Sequence, residues 1–333
     1  MPTSKSIVGA RTILFLGAGA SKPFNKMLMG EFVSHLQTRY PKSDLLKVVC
    51  AKQADLEFLI GQLEDLSSKR YFAQGTTVKG AVTTYIWPAV VKLAQDAANL
   101  LQIVKREVYT HYRSIENRET LSPIYKGLLG TLSKGKTDHV IFTTNYDPAV
   151  ETFVSEQEDF RLIDGFAHNP KLQQYIWNRS VFDNFRPDEK LGTVVLFKLH
   201  GSTNWFRNEG RITKANPIFG AGDSEYEHVL IYPATRKIAT TDPFFAAYDY
   251  LEKCLVAAER CLAVGYSFRD YDTLMRFKAA SLENPRLRVT VLDPNADELV
   301  AFLTKEGVHA QPVPQVFGSE PAEYLAKIAG ASS

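Results

Sequence analysis

The chain has 333 residues, 45% hydrophobic and 11% aromatic, enough for a large core. Its 39 Lys and Arg stand against 37 Asp and Glu, a net charge of +2, which argues against a strongly basic nucleic-acid or membrane-surface binder. No apolar run approaches the ~18 residues of a membrane span, and Cys50, Cys254 and Cys261 form neither a disulfide framework nor a C-x-x-C zinc pair, which fits a reducing, cytoplasmic setting.

Residues 11–24 read RTILFLGAGASKPF. The apolar run Ile13–Leu16 predicts a buried strand ending in Gly17-Ala18-Gly19-Ala20-Ser21. Lys5, Arg11 and the small residues at 18–20 imitate a secretory signal, but the apolar part is short and glycine breaks it. From about 41 to 135 the pattern is helical. Residues 54–66 are amphipathic at helical spacing, and 88–118 predict a long helix that breaks near Asn117. This stretch is expected to be a helical insertion subdomain within one domain spanning 1–333.

HVIFTTN (139–145) predicts the next strand and 148–154 a helix. Residues 165–192, with Asn169-Pro170, Trp177 and Arg186-Pro187, predict an irregular loop insertion. Further strands follow at TVVLFKLHG (193–201), HVLIYP (228–233), CLAVGYS (261–267) and RVTVLDP (288–294). Helices are expected over 242–251, 271–278 and 296–303. Continuous apolar strands alternating with helices predict an α/β fold: a Rossmann-like parallel sheet with helices on both faces, plus the helical insertion.

Open parallel sheets bind ligands beyond the carboxyl ends of their strands, so the residues after each strand carry the chemistry. The 17–21 loop permits close backbone approach, and a helix following it would offer amides to phosphate, with Ser21 as its cap. A plain strand-to-helix turn reads the same way, and the dinucleotide fingerprint's third glycine is replaced by Lys22. After 139–143 comes Thr144-Asn145-Tyr146-Asp147-Pro148, where Asp147 is explained as a helix cap and Asn145 less readily. After 193–199 comes His200-Gly201, a base candidate near neutral pH or a histidine bonded beneath a turn. Gly265-Tyr266-Ser267 offers a hydroxyl to phosphate or ribose, and Asp270 reads as a helix cap. Asp293-Pro294-Asn295 offers an acid to ribose hydroxyls or a cap to the next helix.

The order of these motifs resembles the sirtuin family, and more closely its bacterial zinc-free branch. Gly17-Ala18-Gly19-Ala20-Ser21 matches the glycine loop, and Thr143-Thr144-Asn145-Tyr146-Asp147 matches Thr-Gln-Asn-x-Asp with Thr for Gln. His200-Gly201 matches the catalytic His-Gly, and Gly265-Tyr266-Ser267 the Gly-Thr/Tyr-Ser strand end. Asp293 or Asn295 stands where the family places a ribose-binding Asn. The two C-x-x-C pairs and the Gly-Ile-Pro-x-Phe-Arg segment of the zinc-bearing deacylases are absent.

The resemblance implies an NAD+ hydrolase that releases nicotinamide and ADP-ribose, without zinc, as an effector of bacterial antiphage defence by NAD depletion. It implies Asn145 and His200 as catalytic residues. It implies Gly17, Ala18, Gly19, Ser21, Thr144, Asp147, Gly265, Ser267, Asp293 and Asn295 as NAD+-binding residues. It further implies a homo-oligomer under a regulatory partner, such as a HerA-like ATPase or a short Argonaute complex. An NAD-dependent protein deacylase, a non-catalytic NAD or ADP-ribose module and, last, a Rossmann oxidoreductase are the competing readings.

Overall fold

Alternate residues of the apolar strands face two different cores, and this builds the central sheet. The computed structural model describes residues 7–50, 56–75, 81–132, 138–186, 188, 190–215, 227–231 and 241–318. Its strands in chain order are β1 (Thr12–Leu16), β2 (Asp138–Thr143), β3 (Phe160–Ile163), β4 (Phe166–Asn169), β5 (Gln174–Trp177), β6 (Gly192–Lys198), β7 (Gly201–Asn208), β8 (Arg211–Lys214), β9 (Glu227–Leu230), β10 (Arg260–Val264), β11 (Arg288–Leu292) and β12 (Ala310–Val313). Its helices are α1 (Met29–Arg39), α2 (Asp44–Cys50), α3 (Leu56–Gly75), α4 (Ala81–Tyr112), α5 (Leu121–Leu132), α6 (Ala149–Ser155), α7 (Ser180–Asp183), α8 (Phe244–Ala257), α9 (Tyr271–Glu283) and α10 (Ala296–Lys305). The described residues fall into two compact units. One runs up to Lys26 and resumes at Tyr112; the other is Met27–His111 with Ile231.

The first unit holds a seven-stranded sheet in the order β12-β11-β10-β1-β2-β6-β3, parallel throughout. Ile13 and Phe15, Val140 and Phe142, and Val195 and Phe197 point to one face, where they meet Leu251, Phe277 and Leu303 of α8, α9 and α10. Leu14 and Leu16, Ile141, and Val194 and Leu196 point to the other, against Tyr125 of α5 and Phe153 of α6. Each such side chain, fully buried, stabilises the fold by about 1.5–3 kcal/mol. Burial on both faces explains why these strands read as unbroken apolar runs. The edge strands β3 and β12 were not legible: each is four residues, and β12 carries Pro312, which an edge tolerates.

HVLIYP does not join the parallel sheet. Its described part, β9, pairs antiparallel with β7 in a second, five-stranded sheet, β4-β5-β8-β7-β9. No helical crossover intervenes among the described residues between β7 and β9, so a parallel return is not available. The described part of the 165–192 stretch is likewise not irregular. It forms the β4–β5 hairpin, turned at Asn169, whose Oδ1 accepts from Lys171 N and Leu172 N, and then the single turn α7. Phe166, Trp177 and Trp205 pack their rings on one another within this sheet. Both hairpin strands are four residues long, β4 ending at the Asn-Pro break, which gives too short an alternation to be recognised.

The second unit is helical, but its limits differ from the expected 41–135. It begins at Met27, takes in α1, and ends at His111. Inside it Phe32, Val33 and Leu36 of α1 are buried, as are Leu59, Ile60 and Leu63 of α3 and Val104 and Val108 of α4. Tyr40 Oη donates to Glu107 Oε1 at 2.6 Å, and Met27 N to His111 Nε2 at 3.0 Å. The long helix stops at Tyr112, short of Asn117. Residues 112–132 belong instead to the sheet unit, where Tyr125 stacks on Phe153 with centroids 5.3 Å apart.

Candidate functional site

Five strands end level with one another. Leu16 pairs with Val264 on one side and Thr143 on the other, Thr143 pairs with Lys198, and Val264 with Leu292. The loops that begin at Gly17, Thr144, Leu199, Gly265 and Asp293 therefore leave the sheet along a single edge. From β1 the chain lays β2 and β6 to one side and β10 and β11 to the other. The carboxyl ends of β1 and β10 thus flank the topological switch point, the usual ligand crevice of such sheets.

The glycines at this point pack on each other. Gly17 N donates to Val264 O and Gly19 N to Gly265 O, both at 2.9 Å. Gly265 has φ +58°, the left-handed region that favours glycine. A Cβ on Gly17 would lie 2.5 Å from Gly265 O, and one on Gly19 2.7 Å from Gly265 Cα. The amides of Gly17 and Gly19 are thus committed to the neighbouring strand end. Nor does an α-helix follow: Ala18–Phe24 is a 3-10 segment with Gly17 at its N-cap. Ser21 lies inside that segment rather than capping a helix. Ala18 and Gly19 are half-buried, and Lys22 is exposed.

Ser21 instead reaches across to the end of β2. Its Oγ donates to Asp147 Oδ2 at 2.6 Å, and Asn145 Nδ2 donates to Ser21 Oγ at 2.9 Å and to Gly17 O at 2.8 Å. Thr143 Oγ1 accepts from Asn145 N and donates to Leu16 O. Thr144 N extends the ladder by donating to Leu16 O. Asp147 also accepts from Ala149 N, the first residue of α6, at Oδ1, so it holds the start of that helix and Ser21 together, although the N-cap position itself is Pro148. Beneath it lie charges that sequence reading missed. Lys198 and Glu151, 2% and 4% exposed, form an ion pair at 3.2 Å, and Lys198 Nζ donates to Asp147 O at 2.6 Å. Burial raises the Glu151 carboxyl above its ordinary value against the pull of Lys198. Burial lowers the nearby Lys26 ammonium, while Asp147 and Glu116 oppose that shift.

His200 lies two residues past the end of β6 and is 6% exposed. Gly201 behind it has φ +81°, and a Cβ there would stand 2.1 Å from Val229 O. His200 Nε2 lies 2.7 Å from Asp270 Oδ2 and 3.4 Å from Tyr248 Oη. Asp270 caps α9 as expected, with Oδ1 accepting from Asp272 N and Thr273 N. Its second oxygen, on His200, was not legible, because a partner 70 residues away leaves no local signal. Burial, and then Asp270, push the Tyr248 hydroxyl well above its ordinary value.

Ser267 is exposed on the loop after Gly265. Asp293 is half-buried and turns the chain into α10, accepting from Asn295 N at Oδ1. Asn295 is exposed and makes no side-chain cap bond. Hydrogen bonds thus gather Ser21, Asn145 and Asp147 into one group and His200 with Asp270 into another. Ser267, Asp293 and Asn295 share the edge through strand register. Among the described residues, no group of three or more His, Cys, Asp or Glu is arranged to hold a metal ion. Cys50, Cys254 and Cys261 are buried free thiols, and burial pushes that of Cys254 up to about 12.

A parallel sheet with packed glycines at its switch point, and with an Asn–Ser–Asp cluster and a buried histidine along the same edge, defines an α/β protein. The chain belongs to the SIR2-like domain family, whose model matches residues 139–310, just over half of it. Among solved structures it is similar to a Sir2 homologue in complex with NAD, at 11% identity and TM-score 0.45, covering 98% of this chain and 91% of that one. It is similar also to a mutant Sir2 homologue with ADP-ribose, at 12% identity and TM-score 0.42, covering 98% and 94%. Sir2Tm bound to a propionylated peptide follows at 10% identity and TM-score 0.38, covering 95% and 91%. Family membership rests on the match over 139–310. No match was found among curated proteins.

Proposed function

We propose that this protein binds NAD+ and hydrolyses its nicotinamide–ribose bond, releasing nicotinamide and ADP-ribose. The observation that carries this reading is the placement of Asn145 and His200, each two residues beyond the paired strand ends Thr143 and Lys198, in a SIR2-like domain. Nicotinamide carries the positive charge of NAD+, so it departs neutral and needs no general acid. Positive charge then develops at the ribose C1′, where water adds. Asn145 has both amide hydrogens committed, to Gly17 O and Ser21 Oγ, which leaves Oδ1 as the acceptor for a ribose hydroxyl or the attacking water. His200 receives the proton that water loses. The glycine loop, Thr144, Gly265 and Ser267 line the crevice for the pyrophosphate. Asp147 engages the nicotinamide amide, and Asp293 or Asn295 a ribose hydroxyl.

Unrestrained hydrolysis would deplete the host cell of NAD+, so this activity requires control. A role in antiphage defence, with the chain in a homo-oligomer and a HerA-like ATPase or short Argonaute complex as the trigger, fits that requirement. The helical unit Met27–His111 is the segment we assign to assembly contacts. The test is mass-spectrometric analysis of NAD+ incubated with the purified protein, alone and with its genomic neighbours. Nicotinamide and ADP-ribose in equal amounts are expected. Turnover only with an acylated peptide, yielding O-acyl-ADP-ribose, would replace hydrolysis by deacylation, and binding without turnover would leave a sensor module.

A further inference from the structure

We propose that Asp270 is a positioning residue for His200, fixing the imidazole and raising its basicity so that it takes up the proton in NAD+ hydrolysis. This rests on the function proposed above. The geometry carries it. Asp270 divides its two oxygens: Oδ1 holds Asp272 N and Thr273 N at the start of α9, and Oδ2 lies 2.7 Å from His200 Nε2. The side chains of both partners are less than a tenth exposed, at 7% and 9%. The helix thereby anchors the carboxylate, and the carboxylate anchors the ring. Tyr248 Oη, from α8, approaches the same Nε2 at 3.4 Å.

The chemistry follows from that arrangement. The C1′–N bond breaks with its electron pair passing to nicotinamide, and a C1′–O bond forms from water. The water proton reaches His200 directly or through a ribose hydroxyl. The resulting imidazolium lies against the Asp270 carboxylate, and that opposite charge favours the protonated ring. The other charges in this region are arranged around Tyr248 and β6. Arg276 of α9 lies over the Tyr248 ring at 6.0 Å and pairs with Glu252 of α8 at 3.1 Å. Asp272 acts on Tyr248, and Lys198 of β6 is committed to Glu151 and Asp147 O. Asp270 is the carboxylate that the structure sets directly on the ring.

Asp270→Asn separates this role from capping, because Asn is as good an N-cap as Asp. The variant is expected to melt close to wild type, yet to lose roughly tenfold or more in kcat with KM for NAD+ changed less than about threefold. The acidic limb of its pH–rate profile should move down by about one pH unit, because the imidazolium has lost its counter-charge. NMR titration of histidine-labelled protein without NAD+, with His200→Asn to assign the signal, should show the same downward move. Asp270→Ser, another good cap, should behave alike. An unchanged His200 titration in a folded Asp270→Asn protein, or an unchanged kcat, would overturn the proposal. A shifted titration in a protein whose wild type never releases nicotinamide would refute the NAD+ reading while upholding the His200–Asp270 coupling.

Discussion

Gly265→Ala separates two reasons for the glycines at the switch point. If they served only to admit a phosphate, alanine would weaken ligand binding and leave the ligand-free protein intact. The structure predicts otherwise. Position 265 sits at φ +58°, where an L side chain costs about 1–2 kcal/mol. Its Cβ would stand 2.4 Å from Gly19 Cα and 2.5 Å from Ala20 N, contacts that backbone cannot relieve without moving the loop. Overpacking of that kind adds about 1–3 kcal/mol. Together these give a loss of roughly 2–5 kcal/mol, which for a chain of 333 residues lowers the melting temperature by about 3–7 °C. Thermal denaturation without NAD+ reads this directly. A ligand-free melting point within about 2 °C of wild type would refute the self-packing account, since a loss of even the lower size moves it further.

Lys198→Met leaves the Glu151 carboxylate buried without its cation and should cost about 3–5 kcal/mol in urea denaturation. Adding Glu151→Leu should restore most of that loss, and a double variant as unstable as the single one would contradict the pairing. His139 is held down to about 4 by burial, from an ordinary 6.5. The unfolded chain therefore binds the proton first as pH falls, so this contribution is complete above pH 6.5 and is lost on the way to 4. Between pH 7 and 5 the loss is about 2 kcal/mol. Urea midpoints at those two values should show it, and His139→Phe, which keeps an aromatic ring facing Phe160, should remove that part of the slope.

The parallel sheet was legible because its strands are buried on both faces, so sequence and burial carry one message: Ile13–Leu16 faces core on every side chain. The second sheet was not, because β7 begins Gly201-Ser202-Thr203-Asn204, polar residues that are nevertheless buried. Ser21, Asn145 and Asp147 stood out in sequence because they lie just past apolar strands, and hydrogen bonds join them. Asp270 did not, since its cap already explained it locally and its second partner comes from a different strand end. The same holds for Lys198 and Glu151, which in sequence are ordinary charges inside a strand and a helix. Pairings across the sheet edge are set by register, and register is written in long-range packing rather than in neighbouring residues.

The central claim is that Asn145 and His200 cut NAD+. Nicotinamide release from NAD+ should be measured with purified wild type, Asn145→Ala and His200→Ala, each with and without the genomic neighbours, after melting curves establish that all three are folded. The account predicts release by wild type in at least one of those settings and a loss of about a hundredfold or more in each variant. Release at wild-type rates by both folded variants would contradict it.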